Sequence, residues 1–343
     1  MERSLAGRWL NQSVEIDAVA NFIASVQKTN GEIPWSNGDK TDPWDHVEAA
    51  MGLSVGGYLN EARRAYMWMA ASQNKDGSWY ASYRNGVAED MTRDANFSAY
   101  IAVGVWHYFL ITEDTNFLRL MWPSVKAAIH FVMRLQAPAG NIYWALNCDG
   151  LVDPMSLLTG SSSIHFSLQC ALAIASVLGE KTTEWQAASD RLKYAIQHKP
   201  YHFNMTKSRY AMDWFYPILS GALTGAVAKR RLFKLWKRFI VEGQGVKCVS
   251  DRPWITIAET AELVLTLVAM GSDNLAAIIL GWILGKKYED GSYWCGYTWP
   301  DMVIWPEEKI TWTNAAVLLA ADAVYRLTSA SNLFRHPNAT LSD

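Results

Sequence analysis

The residues best able to do chemistry in this 343-residue chain are carboxylates set among indoles. Asp42, Asp45 and Glu48 lie together, as do Glu89, Asp90 and Asp94, and further along come Asp213, Asp251, Glu259, Glu307 and Glu308. Interleaved with them are Trp35, Trp44, Trp79, Trp144, Trp214, Trp254, Trp294, Trp305 and Trp312. Two carboxyl groups that flank a bond can share glycoside cleavage. One donates a proton while the other activates water or attacks, at separations of about 6.5–9.5 Å or about 5–5.5 Å. Indole faces stack on sugar rings, but they also stabilise carbocations, so the aromatic residues alone admit an isoprenoid as readily as a carbohydrate. Each acid also has a plainer reading, because most fall near expected helix starts, where caps and the helix dipole favour anions. Their concentration with indoles is what favours a cleft.

The elements that must position these groups are helices. Apolar spacing at three and four residues predicts twelve, over 13–28, 43–57, 60–73, 91–111, 114–136, 161–178, 182–197, 213–225, 228–241, 254–270, 273–287 and 310–328. Ser13, Asp90, Asp114 and Thr182 stand where caps belong. Connections after the even helices are short, whereas those after the odd helices are long and hold the Gly, Pro, Asp and Trp. Antiparallel helices put alternate connections at opposite ends, so all the long loops share one face. The expected fold is therefore all-α, an (α/α)6 toroid of six hairpins, as one domain over residues 1–330 with a tail over 331–343.

A repeated unit supports the ring. Gln27, Gly31 and Trp35 recur as Gln73, Gly77 and Trp79, then as Gln136, Gly140 and Trp144; Lys287, Gly291 and Trp294 form a fourth copy without the Gln. Physically, the glycine makes the turn while Gln and Trp fasten one outer helix to the next. These units resemble the QW repeats of terpene cyclases and prenyltransferase-like proteins. A longer likeness starts at Asp94–Tyr100 and continues through Trp106–Phe109, Thr112–Leu118, Trp122-Pro123, Ala127–Phe131 and Leu135-Gln136. It resembles the middle hairpins of six-hairpin, glucoamylase-like glycosidases. The ending Trp305-Pro-Glu-Glu308, then Thr311–Ala316, is similar to the glucoamylase segment that carries the general base.

The glucoamylase likeness implies a glycoside hydrolase in which Glu308 is the base. Asp213 and Glu259 are the rival acids, because the glucoamylase acid segment is replaced by Asn147–Gly160, which contains Asp149 and Asp153 but no Glu. Asp45, Asp94 and Asp251 are expected to bind substrate hydroxyls, with Trp35, Trp44, Trp79, Trp144, Trp214, Trp254, Trp294 and Trp312 as stacking surfaces. The isoprenoid alternative lacks both DxDD and DDxxD, and the nearest zinc candidates, Asp290 and Cys295, have only His336 in the tail. A third reading is a sugar- or lipid-binding protein without chemistry. His46, His107, His130 and His165 lack metal spacing and read as structural, and no metal or cofactor is expected.

Composition narrows the partners. Net charge is −2 without a strong basic excess, which offers no electrostatic footprint for nucleic acid. The four Cys show no CxxC spacing and read as free thiols in a reducing compartment. Residues 1–12 lack an apolar signal region, and the apolar run 275–285 is too short to span a bilayer. The expectation is a cytoplasmic enzyme acting on a small-molecule, oligosaccharide or glycolipid substrate, with no membrane span.

Overall fold

The computed structural model describes residues 14–336. The cap expected at Ser13 and the last seven residues of the expected tail lie outside the described residues. Within them the twelve helical rods are present, one broken in two: α1 Ile16–Val26, α2 Pro43–Val55, α3 Leu59–Ser72, α4 Ala95–Ala99 with α5 Ile101–Thr112, α6 Thr115–Arg134, α7 Leu158–Leu178, α8 Thr183–His198, α9 Ala211–Leu219, α10 Gly225–Phe239, α11 Ile257–Ala269, α12 Asp273–Ile283 and α13 Thr311–Tyr325. The inner helices form a closed ring: α2 packs on α5, α5 on α7, α7 on α9, α9 on α11, α11 on α13, and α13 back on α2. The outer helices α1, α3, α6, α8, α10 and α12 back onto it. This is the (α/α)6 toroid.

Layering follows from side-chain pattern. Every residue of α2 and of α11 is buried, as expected of rods with neighbours on all sides. In α10 only Ala228, Leu232 and Phe239 are fully buried, since an outer helix covers the ring with one stripe. The helix α7 is long and apolar enough to cross a membrane, but its most apolar stretch is 61% buried in the ring.

Several starts differ from the sequence expectation. The rod expected from residue 91 begins at Ala95, because Arg93–Asp94 is a strand, β3. Asp94, not Asp90, is its cap, taking the N–H of Asn96 and of Phe97. Asp114 caps α6 through the Phe117 N–H, whereas Thr182 precedes α8 without a side-chain bond. The long loops hold three small sheets: β1 (Ser82–Arg84) with β2 (Val87–Asp90); β3 with β4 (Ala145–Leu146) and β5 (Val152–Asp153); and β6 (Ile240–Val241), β7 (Gly245–Lys247), β8 (Trp254–Thr256) and β9 (Gly296–Thr298). The described part of the expected tail is packed: Phe334 stacks on Phe166, and His336 bonds the Ile218 carbonyl.

The repeated unit is one hydrogen-bonded lock used three times. Gln27 Nε2 donates to the Gly31 and Glu61 carbonyls at 3.0 and 2.9 Å. Gln73 does the same to Gly77 and Ser124, and Gln136 to Gly140 and Ala188. One carboxamide thus closes its own turn and seizes the next outer helix. The turn requires glycine: Gly77 sits at φ 92°, and a Cβ there would collide with the Ala127 carbonyl. In the fourth copy Lys287 replaces Gln and pairs with Glu15 at 2.6 Å, so a charge joins the last turn to the first outer helix.

Polar groups line the ring's axis. Glu48 of α2 accepts from the Tyr100 hydroxyl at 2.5 Å. Glu262 of α11 lies near Glu48 and Tyr216. Burial pushes Glu48 up to about 7, the Tyr100 bond opposing it. Burial followed by the charges of Glu48 and Glu259 pushes Glu262 well above the carboxylate range.

The lock and the axial acid each have a measurable consequence. Gln73→Met leaves two buried carbonyls without their donor and should lower unfolding stability by about 1–3 kcal/mol in urea titrations. The folded state keeps a proton on Glu48 that the unfolded chain releases above pH 4.5, so this contribution is complete below 4.5 and lost as pH climbs to about 7. Glu48→Gln should therefore remove roughly 1–3 kcal/mol of the fall in unfolding free energy over that window, measured by the same titration.

Candidate active site

The start of α2 builds the first wall of the cleft. Asp42 caps the helix, accepting from the Asp45 N–H at 2.9 Å and from the Trp35 indole N–H. Lys40 lies 4.1 Å over the Trp35 ring. Asp42 and Asp45 are 3% and 7% exposed, too little solvent for two charges side by side. Burial, then the charge of Asp42, drives Asp45 well above the carboxylate range, so Asp45 holds a proton against its neighbour. Trp44 is largely buried, its ring 5.0 Å from Tyr100 and edge-on to Trp312 at 5.6 Å. Trp35 and Trp312 keep half-buried faces.

The sheet β3–β4–β5 builds the second wall. Asp94 pairs with Ala145, and Ala145 with Asp153, which places the two aspartates in one cross-strand row. Burial raises Asp94 to about 7, with Asp42 adding to the push and the Phe97 and Asn96 N–H groups resisting it. A cavity of 150 Å³ lies along this wall, bounded by Asp94, Trp144, Leu157 and Thr159. A second cavity, of 230 Å³, shares Leu157 and Thr159 and runs to Asp213 and Glu259. Asp213 accepts from Thr159 twice, through N–H at 3.2 Å and Oγ1 at 2.6 Å.

The third wall comes from α11 and the loop before α13. Glu259 stands in the first turn of α11, close to the Cys248 thiol in the cavity they both line. Burial, and after it the charges of Glu259 and Glu308, push the Cys295 thiol up to about 12. Glu308 is exposed on the rim. Trp294 is half-buried and edge-on to Tyr297. Trp254 donates to the Trp305 carbonyl, and Trp305 is 58% exposed.

Three expected substrate-binding residues are elsewhere. Trp79 is fully buried and donates to the Met69 carbonyl, and Trp214 is 1% exposed, donates to Leu232 and stacks on Phe239 at 5.0 Å. Both fasten outer helices, Trp79 as the structural half of the repeated unit and Trp214 from the inner helix α9. Asp251 is held on an exposed turn by Arg209 at 2.8 Å. From the sequence alone the glucoamylase acid is missing or replaced in the segment that holds Asp153, which has no role there, and Glu262 goes unnoticed. The spacing of Glu262, three residues after Glu259 on an inner helix, was the available signal. Among the described residues no group of three or more His, Cys, Asp and Glu is placed to hold a metal ion. Asp290 pairs with Lys309, while His336 packs against α9.

No family model matches the chain. It is 48% identical over 316 residues to the MMP endo-(1,4)-3-O-methyl-alpha-D-mannosidase of Mycolicibacterium hassiacum, covering 92% of this chain and 88% of that one. Among solved structures it resembles the GH63 mannosylglycerate hydrolase of Thermus thermophilus in complex with glucose, with TM-score 0.71, 11% identity and coverage of 89% and 99%. It also resembles a second, wild-type glycosidase, with TM-score 0.69, 14% identity and coverage of 96% and 99%. The structural likenesses carry the toroid fold, and the sequence likeness carries the family. With an acid-lined aromatic cleft on the long-loop face, the chain belongs to the family of that mannosidase and is a glycoside hydrolase-like enzyme.

Proposed function

We propose that this enzyme hydrolyses α-(1→4) linkages inside a chain of 3-O-methylated mannose units. The observation that carries the reading is the 48% identity, spread over 92% of the chain, to a mannosidase of that description. Adjoining cavities along one face suit a linear oligosaccharide better than a single buried ring. Glu308, on the rim before α13, is the general base that activates water. Asp153 is the proton donor: it stands in the segment that replaces the glucoamylase acid, in register with Asp94. Asp45 and Asp94 hold sugar hydroxyls, and Trp35, Trp144 and Trp312 supply faces for the rings. A reducing compartment such as the cytoplasm suits the four free thiols.

A second assignment has its own support. Asp45 keeps a proton through burial and the charge of Asp42, which is what an acid needs before it can donate. Substrates with different leaving groups separate the two. The wild type should release reducing ends from a 3-O-methylated α-(1→4)-mannoside, and no release would refute the function. Asp153→Asn and Glu308→Gln should each lower kcat by about a hundred- to ten-thousand-fold while leaving the melting temperature nearly unchanged. A glycosyl fluoride, whose departure needs no proton, should restore Asp153→Asn but not Glu308→Gln. Fluoride rescue of Asp45→Asn instead would move the donor to Asp45. A full loss in Glu259→Gln with activity retained in Glu308→Gln would move the base to Glu259.

A further inference from the structure

The two cavities on the active face differ in chemistry. The smaller one offers Asp94, Asn96 and the Trp144 indole, groups able to meet sugar hydroxyls. The larger one, 230 Å³, is lined by Leu157, Ala211 and Met212, and also by Lys207, Asp213 and Glu259. Asp213 is already supplied with two donors by the protein, the Thr159 N–H and hydroxyl. A sugar entering here meets mostly apolar surface.

We propose that this apolar wall beside Glu259 is the pocket for the 3-O-methyl group of a mannosyl unit, and so the element that selects methylated over free sugar. The inference rests on the mannosidase reading and says which surface reads the methyl group. A methyl ether cannot donate a hydrogen bond, so a wall of unsatisfied acceptors would reject it. A free hydroxyl against Leu157 and Met212 would give up water without a partner in return. The same wall therefore favours the ether and penalises the alcohol. Discrimination by a single methyl-sized group in an apolar pocket is roughly ten- to two-hundred-fold. The cavity has room for a methoxy group together with the sugar edge that bears it.

The test compares kcat/KM for two synthetic α-(1→4)-linked mannotetraosides, one 3-O-methylated and one free. The wild type should prefer the methylated chain by at least roughly tenfold. Met212→Gln and Leu157→Asn, which make the wall polar, should shrink that ratio several-fold, whereas Met212→Leu should keep it. Two polar variants at separate positions guard against one that fails to fold, as melting curves would reveal. An active wild type with no preference overturns the pocket alone, as does an unchanged ratio in folded Met212→Gln and Leu157→Asn. A wild type that cleaves neither chain overturns the mannosidase reading and the pocket with it.

Discussion

Closure of the ring is the constraint on which the rest of the structure depends. A toroid of hairpins has no sheet to hold it shut, so its first and last inner helices must meet. They do so through α13 against α2 and α1. The seam is specific as well as apolar. Thr311 gives its N–H to the Trp35 carbonyl at 2.7 Å and its hydroxyl to Pro34 at 2.8 Å, across nearly the whole chain. Asn314 receives the Tyr293 N–H, and Lys287 reaches Glu15. This seam fixes the loop before α13, which carries Glu308, against the loop before α2, which carries Trp35 and Asp42. A break there would open the cleft as well as loosen the fold.

Burial of acid is the second organising fact. The inner helices start at the long-loop face, so their first turns bring carboxylates together where water is scarce. The outcome is graded. Asp45 and Glu262 lie well above the carboxylate range, Glu48 and Asp94 rise to about 7, and Glu308 remains exposed on the rim. Moving inward from rim to axis, the environment shifts from one that tolerates charge to one that demands protons or hydroxyl donors such as Tyr100. A glycoside hydrolase needs both kinds of carboxyl group within reach of one bond, and this gradient supplies them from a single architectural feature.

The indoles divide along the same line. Trp79 and Trp214 spend their N–H groups on backbone carbonyls and their rings on the space between helices. Trp35, Trp144 and Trp312 keep half-buried faces on the loop side. The repeated Gln–Gly–Trp unit is thus an assembly device whose third member does different work in different copies. In the first, the Trp35 ring has moved out to bond Asp42; in the second, Trp79 has stayed inside. A likeness between loops is evidence about helix-to-helix fastening, not about what each loop binds.

The sequence by itself determined the framework, because the framework is written in local terms. Spacing of apolar residues marks the rods, the alternation of short and long connections puts the chemistry on one face, and the recurrent Gln and Gly mark the locks. It also carried the family likeness of the Glu308 segment. Only tertiary structure decided which acids and indoles face one another, since a cleft wall is assembled from turns hundreds of residues apart. Asp90 was legible as a cap but stands in β2, paired with Ser82 of β1, and the helix start is moved to Ala95 because Arg93–Asp94 is drawn into pairing with β4, an interaction that no local pattern signals. The same pairing lines up Asp94 with Asp153, and ring closure sets the loop before α13 against the loop before α2. Helical periodicity tells which way a side chain points from its own axis. It cannot tell which neighbour it meets, because that depends on the closing of the ring.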